Sequence, residues 1–161
     1  ESDMYNRIAV LYNNAGAIDK AIEFYEKALE ENPNHKYANS NLGSTLRFRD
    51  PKRAKECLQR AIAIDPELDT ALIELGRIQK SEGDWQGAKE KFQKVYDRYQ
   101  QQWKTNSLPK YAYGWFASVA EELGKNEFAK EIRHSTPDAE GEAYYNPDNL
   151  SKTKTNMLTT K

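Results

Sequence analysis

Cysteine and histidine are scarce in this chain of 161 residues, which contains one cysteine, Cys57, and two histidines, His35 and His134. A single cysteine cannot form an internal disulfide and leaves no cysteine-based zinc site. The histidines lie far apart with no ligand spacing around either, so we interpret both as ordinary surface or junction residues. We therefore expect no metal and no other cofactor.

Long apolar runs and an excess of one charge are also missing. No window reaches the roughly 18 to 20 apolar residues of a membrane-spanning helix, and no signal sequence opens the chain. The 24 Lys and Arg residues almost cancel the 25 Asp and Glu residues, which argues against a nucleic-acid partner. We expect a cytoplasmic chain without direct membrane insertion. Its start at Glu1, without methionine, suggests processing or a fragment of a longer protein.

Self-similarity at a spacing of 33 or 34 residues runs through most of the chain. The aligned sets are Ile8-Ala9, Leu42-Gly43 and Leu75-Gly76; Ala21, Ala54 and Ala88; Tyr25, Leu58 and Phe92; Ala28, Ala61 and Val95; and Pro33 with Pro66. Apolar residues in each repeat follow helical spacing, and small alanines allow two helices to approach closely. Each repeat is therefore predicted to be a hairpin of a first helix A and a second helix B.

Turn residues mark where these helices end. Gly16 and Gly83 suit left-handed turns between helices, and Pro33 cannot continue a helix. The second repeat replaces the glycine with Arg49-Asp50-Pro51-Lys52, where Pro51 suits the first turn of a helix. The third repeat is predicted to have a lengthened helix B, followed by a loop at residues 105–109.

The order of these residue types resembles the tetratricopeptide repeat (TPR), in which Leu-Gly, an aromatic residue, alanines and a closing proline recur. The resemblance covers about residues 2–134. It implies an all-α, right-handed α-α superhelical solenoid with three clear repeats, 2–34, 35–68 and 69–102, and a degenerate fourth, 110–134. We expect one domain over residues 1–134 and a C-terminal tail, 135–161, with little regular structure. An ordinary helix bundle is the structural alternative.

In this family the A helices line a concave groove, so the helix A positions facing away from the packing stripe are candidate binding residues. The peptide-binding hypothesis rests on Asn6, Asn13, Tyr37, Asn41, Arg47, Arg77, Lys80, Tyr111 and Trp115; the same face is predicted to include Val10, Ser44, Thr70, Ile73, Glu74 and Ser118. Amides can bind a peptide backbone, arginines can bind a carboxylate, and aromatic rings supply contact area at small entropic cost. These residue types suit an extended peptide.

Charge at the candidate groove predicts the kind of partner. Arg47, Arg77 and Lys80 are predicted to cluster and to favour an acidic segment or a C-terminal carboxylate, with Glu74 moderating that preference. The alternative is that all three are solvated surface charges.

Other candidate residues have structural alternatives as well. Trp115 stands beside Phe116 and can equally belong to the core. Tyr37 can pack against Asn39 or the preceding proline without touching a partner. Cys57 is interpreted as a buried structural thiol rather than a reactive one.

Chaperone-binding members of the family are known for a dicarboxylate clamp of Lys, Asn and Arg. Its positions fall here on Asn6, Val10, Asn41, Thr70 and Glu74. Only Asn41 matches, and Glu74 has the wrong sign. A frame shifted by one repeat, with Ser40, Ser44, Glu74, Tyr111 and Trp115, fits less well, so we expect no co-chaperone of this class.

Catalytic motifs are missing from the sequence. The patterns GxGxxG, GxxxxGK[ST], GxSxG and HExxH do not occur, so we predict a protein without enzymatic activity. The leading hypothesis is a scaffold that binds a linear segment of another protein. One alternative is a substrate-selecting region of a larger enzyme. Another is self-association, in which the apolar edge near Tyr5 pairs with a second copy or with Tyr144-Tyr145.

Overall fold

The computed structural model describes residues 1–136, and all regular structure in this part of the chain is helical. The helices follow one another as α1 (Ser2–Asn14), α2 (Ile18–Glu31), α3 (Lys36–Leu46), α4 (Pro51–Ile64), α5 (Asp69–Ser81), α6 (Trp85–Lys104), α7 (Ala112–Glu122) and α8 (Asn126–His134). The predicted all-α repeat fold is confirmed. Contacts within the chain group into two compact units, one of residues 1–91 and one that begins at residue 92.

Small and aromatic residues hold the first hairpin together. Ala21, Tyr25 and Ala28 on α2 are buried, and so is Ala9 on α1. The turn between the two helices places Gly16 at φ +77°, a left-handed conformation that costs glycine little. The alanines predicted to allow close helix packing therefore lie at the contact between α1 and α2.

A glycine on α3 sets the distance between the helices of the second hairpin. A Cβ atom added to Gly43 would lie 2.6 Å from Cγ of Leu58 and 3.0 Å from the carbonyl oxygen of Ala54. Both contacts are on α4, so the two backbones approach more closely than any side chain at position 43 allows. The Leu-Gly pair of this repeat is therefore a packing requirement.

The second hairpin replaces a glycine turn with side-chain interactions. Oδ1 of Asp50 accepts a hydrogen bond from the backbone N–H of Arg53 at 3.1 Å, and Pro51 is the first residue of α4. Arg53 also forms an ion pair of 2.6 Å with Glu26 on α2, and Arg49 pairs with Asp19. This turn is thus capped by its own aspartate and attached to the first hairpin by two arginines.

The third hairpin begins in the first unit. Gly83 has φ +86°, and Oδ1 of Asp84 accepts a hydrogen bond from the backbone N–H of Gly87 at 2.9 Å, the capping role that the sequence suggests for this residue. The next helix, α6, has 20 residues, whereas α2 and α4 have 14 each. The predicted lengthening of this helix B is confirmed, and the division between the two units falls within it.

An aromatic cluster forms the core of the second unit. Phe116 on α7 is fully buried, and its ring centroid lies 5.4 Å from that of Tyr96 and 5.7 Å from that of Phe128. Trp103, in the last turn of α6, lies 5.1 Å from Phe128. The extra length of α6 therefore supplies an aromatic residue to this core, and the predicted loop follows it at residues 105–111.

The last described helix, α8, has nine residues and buries Ala129 and Ile132. Most of the predicted tail, residues 137–161, lies outside the described residues. The division into one repeat domain and a tail stays a prediction.

Candidate functional site

Three A helices lie side by side in the first unit, because α3 contacts both α1 and α5. The side chains at this surface include five of the predicted binding residues together with Glu74. We call the surface formed by Asn6, Asn13, Asn41, Arg47, Glu74 and Arg77 the A-helix face.

Amide side chains connect α1 to α3 on this face. Nδ2 of Asn41 donates a hydrogen bond of 3.1 Å to Oδ1 of Asn6. Further along, Oγ1 of Thr45 lies 2.8 Å from the carbonyl oxygen of Asn41 and 3.4 Å from Oδ1 of Asn13. One hydrogen bond between two amides leaves N–H groups on one side chain and an oxygen on the other. Within residues 1–136, the Asn6–Asn41 pair thus keeps both a donor and an acceptor for a ligand.

A buried carboxylate connects α3 to α5. Glu74 is only 6% exposed, and its Oε2 lies 2.7 Å from Nη1 of Arg47 while its Oε1 lies 2.6 Å from Nη1 of Arg77. Each carboxylate oxygen therefore binds one arginine, and the three groups together carry a net charge of one positive unit. Of the three residues predicted to cluster, Arg47 and Arg77 share the carboxylate of Glu74, and the place of Lys80 in this cluster stays a prediction.

Arg47 is held from a second side by the residue that follows it. Its guanidinium carbon lies 4.4 Å from the ring centroid of Phe48, which is 84% exposed. The Nε atom of Arg47 is buried and has no hydrogen-bond partner among residues 1–136. An ion pair and a stacked ring fix the orientation of a guanidinium more narrowly than one contact does. The role of Phe48 was not predicted, although an aromatic residue directly after an arginine was visible in the sequence.

One residue predicted for the groove is buried instead. Ile73 has no exposed surface, so its assignment to the groove was wrong. The residues of α5 from Ala71 to Gly76 are all buried, so burial in this part of the helix is not limited to one stripe. Neighbouring Thr70 does face α3, where its hydroxyl oxygen lies 2.9 Å from that of Ser40.

Four other candidates are at least partly exposed. Tyr37 is 51% exposed, with Nζ of Lys36 5.1 Å from its ring centroid. Lys80 is exposed, and its Nζ lies 5.6 Å from the ring of Trp85. Tyr111, 73% exposed, and the half-buried Trp115 belong to the second unit. Their part in binding stays a prediction.

The cysteine lies on the other side of the first unit, among the B helices. Cys57 is 6% exposed, and burial raises the pKa of its thiol. It borders a cavity of about 360 Å³ between α2 and α4 whose other lining residues include Leu29, Leu42, Arg53 and Arg60. A thiol whose pKa is raised is a poor nucleophile at neutral pH, in agreement with the structural role predicted for Cys57.

Neither a metal-binding cluster nor a membrane-spanning helix is found in the part of the chain that the structure describes. Within residues 1–136, no group of three or more His, Cys, Asp and Glu side chains is arranged to hold a metal ion. None of the helices described there combines the length and the apolar character needed to cross a membrane.

Family models match the first and the third hairpin. Residues 2–35 and 70–101 each match a model of the tetratricopeptide repeat. The chain belongs to the tetratricopeptide repeat family, and such repeats form scaffolds for protein–protein interaction. An uncharacterized protein of Methanocaldococcus jannaschii is 32% identical over 69 residues, which make up 42% of this chain and 80% of that protein.

Solved structures share the fold at low sequence identity. A crystal structure of MamA is 24% identical with a TM-score of 0.56, over 82% of this chain and 74% of MamA. A tetratricopeptide repeat protein from Parabacteroides merdae is 20% identical with a TM-score of 0.60, over 82% of this chain and 49% of that one. The structure of pilF of Pseudomonas aeruginosa is 20% identical with a TM-score of 0.59, over 84% of this chain and 59% of pilF.

Proposed function

We propose that this chain is a protein-interaction scaffold that binds an extended, acidic segment of a partner protein on the A-helix face. Membership of the tetratricopeptide repeat family supports a scaffold in general. The observation that carries the finer proposal is the arrangement of Arg47 and Arg77 around the buried carboxylate of Glu74.

The arginine cluster suits a carboxylate because it is ordered before any ligand arrives. Glu74 neutralises one of the two positive charges, and the remaining charge is held by fixed side chains. A guanidinium has five N–H donors in a planar fork, and Arg47 uses Nη1 for Glu74. A carboxylate of the partner that binds this fork gains charge-assisted hydrogen bonds without the entropic cost of ordering a long side chain.

The amide pair suits the backbone of the same segment. Asn6 and Asn41 keep one donor and one acceptor between them, which matches the C=O and N–H groups of a peptide unit. These contacts do not depend on the partner's side chains. We therefore assign affinity for an extended backbone to the amides and selectivity for acidic residues to the arginines.

An immobilised peptide library tests the charge preference. It contains neutral and acidic peptides, each with a free or an amidated C-terminus. Wild type is compared with a double variant, Arg47→Gln with Arg77→Gln, and with a matched control, Arg49→Gln with Arg53→Gln. The control removes the same charge from two arginines that pair with Asp19 and Glu26 on α2.

Wild type is expected to retain acidic peptides, and the first variant to bind them at least about tenfold more weakly because it loses charge-assisted hydrogen bonds. The control variant should bind like wild type. Loss of binding on amidation identifies the C-terminal carboxylate as the ligand, whereas binding to both forms identifies acidic side chains. Equal effects of both double variants, or equal retention of neutral peptides, would contradict the proposal.

The amides have a test of their own. Asn41→Ala removes the acceptor Oδ1 of Asn41 and should weaken the binding of acidic and of neutral peptides by the same factor, because a backbone contact is independent of the peptide sequence. Arg47→Gln should weaken the binding of acidic peptides alone. A variant of Asn41 that changes selectivity without changing general affinity would contradict the division of roles.

A further inference from the structure

Phe48, in the turn between α3 and α4, holds its aromatic ring in solvent. The residue is 84% exposed, more than any other exposed large apolar residue in the part of the chain that the structure describes. Single exposed apolar side chains are common in proteins, so exposure alone assigns no role to this one. The contacts of the residues on either side of Phe48 are what give its ring a defined position.

The two residues that flank Phe48 are attached to different hairpins. Arg47 binds Glu74 on α5, in the third hairpin. Arg49 pairs with Asp19 on α2, in the first hairpin. The turn is therefore fastened to the hairpin before it and to the hairpin after it, and Phe48 extends from a backbone that is held on both sides.

The ring of Phe48 is in contact with the proposed carboxylate site. Its centroid lies 4.4 Å from the guanidinium carbon of Arg47, and the same guanidinium binds Glu74 through Nη1. A cation placed over a ring fixes the orientation of both groups. Because most of the Phe48 surface is still exposed, the rest of the ring is available to a ligand that reaches Arg47.

Distances show which residues of an extended segment meet the ring. A carboxylate oxygen that binds Arg47 lies about 2.8 Å from a guanidinium nitrogen, and the ring of Phe48 lies 4.4 Å from the guanidinium carbon. Neighbouring Cα atoms of a chain are about 3.8 Å apart, and side chains two positions apart in an extended segment lie on one side, separated by about 6.5 Å. A residue one or two positions from the acidic one therefore comes within reach of the ring.

We propose that Phe48 is a specificity-determining residue, which selects partner segments with an apolar side chain within two positions of the acidic residue bound by Arg47. This inference rests on the proposed function, since it needs a carboxylate at the arginine cluster. An apolar side chain on the ring removes apolar surface of both groups from water. The same contact keeps water away from the neighbouring ion pair, which strengthens it.

Fluorescence anisotropy with labelled peptides and the full 161-residue chain tests the selection. Each probe is an extended serine-glycine peptide that contains one aspartate. A second residue, either leucine or asparagine of similar size, stands one or two positions away on either side. A further set replaces the aspartate by asparagine. The proteins are wild type, Phe48→Ser, Phe48→Leu and, as the matched control, Leu11→Ser, because Leu11 is an apolar residue that is 69% exposed on α1. Circular dichroism checks that all variants keep their helical signal.

Wild type should bind an aspartate peptide with leucine at least about threefold more tightly than its asparagine counterpart. Phe48→Ser should abolish this ratio while it keeps the preference for aspartate over asparagine at the acidic position. Phe48→Leu retains an apolar surface and should keep most of the ratio. The control Leu11→Ser should show both preferences of wild type.

Two results would overturn the role of Phe48 and leave the carboxylate site standing. One is equal binding of the leucine and asparagine peptides by wild type. The other is a loss in Phe48→Ser by the same factor for both peptides, because the ring would then only support Arg47. Wild type that does not distinguish aspartate from asparagine at the acidic position would overturn the proposed function itself, and this inference with it.

Discussion

Nε2 of His35 lies 2.8 Å from Oδ1 of Asp3, and its Nδ1 accepts a hydrogen bond from the backbone N–H of Ala38. The ring therefore caps α3 and at the same time contacts α1. His35→Ala should lower the free energy of unfolding by about 1 kcal/mol, the usual effect of losing an N-cap. Urea denaturation measures it. Asp3→Asn keeps the cap and should have a smaller effect; an equal loss in both variants would mean that the Asp3 contact, not the cap, stabilises the junction.

The close approach at Gly43 predicts opposite effects for two glycine-to-alanine substitutions. Gly43→Ala places a Cβ atom against Leu58 and Ala54 and should destabilise the fold by about 1 to 3 kcal/mol, as overpacking does. Gly114→Ala, at a helical position with open space, should be neutral or stabilise by up to about 1 kcal/mol, because alanine favours helix. Thermal unfolding of both variants checks the signs. Stabilisation by Gly43→Ala would show that α3 and α4 can separate freely.

Removing the charge of Glu74 should separate stability from binding. Glu74→Gln leaves Arg47 and Arg77 without their shared carboxylate, which should lower the free energy of unfolding by about 2 kcal/mol. The same change adds one positive charge to the A-helix face and should tighten binding of acidic peptides. Glu121→Gln, which breaks an exposed pair with Arg133, should change stability by less than about 1 kcal/mol. Unchanged binding of acidic peptides by Glu74→Gln would count against the proposed carboxylate site.

Buried tyrosines predict a loss of stability at high pH. Burial raises the pKa of Tyr25 and of Tyr99 to about 12, from an ordinary value of 10.0. As the pH rises from about 10 toward about 12, the unfolded chain loses these protons while the folded chain keeps them. The free energy of unfolding should therefore fall across this window. Urea titrations at stepped pH measure the slope, which Tyr25→Phe should reduce.

Burial of Cys57 predicts slow reaction with thiol reagents. Labelling requires an opening of the packing between α2 and α4, so it should proceed at least about a hundredfold more slowly in the native chain than in urea. A stopped-flow absorbance assay with an aromatic disulfide measures both rates. Native labelling as fast as in urea would mean that the thiol is reachable from the neighbouring cavity without such an opening.

The repeat of 33 or 34 residues in the sequence is sufficient to predict which small residues lie at the helix contact of each hairpin. Ala21, Ala54 and Ala88 are all fully buried, because a helix that repeats its contacts must place the same small residue at the same contact. The position of Gly83 in its turn followed from its conformational freedom. These features depend on local spacing, which the sequence displays directly.

Long side chains were harder to place. The period indicates that Arg47, Glu74 and Arg77 lie on neighbouring A helices, but not which oxygen of Glu74 meets which arginine, because that depends on rotamers and burial. Ile73 was misplaced since the A-helix pattern assumes one buried stripe, whereas the six consecutive residues of α5 from Ala71 to Gly76 are all buried. Phe48 lies in a turn, where helical periodicity makes no prediction.

Side-chain links between hairpins in the first unit join immediate neighbours: Asn6 with Asn41, Ser40 with Thr70, Arg47 with Glu74, and Lys55 with Glu82. Such connections are arranged in series rather than in parallel. A stretching force on this unit would therefore be carried by one junction after another, and the weakest would yield first. Extension should proceed in hairpin-sized steps, so that the first unit resists tension as a chain of separate links rather than as one block.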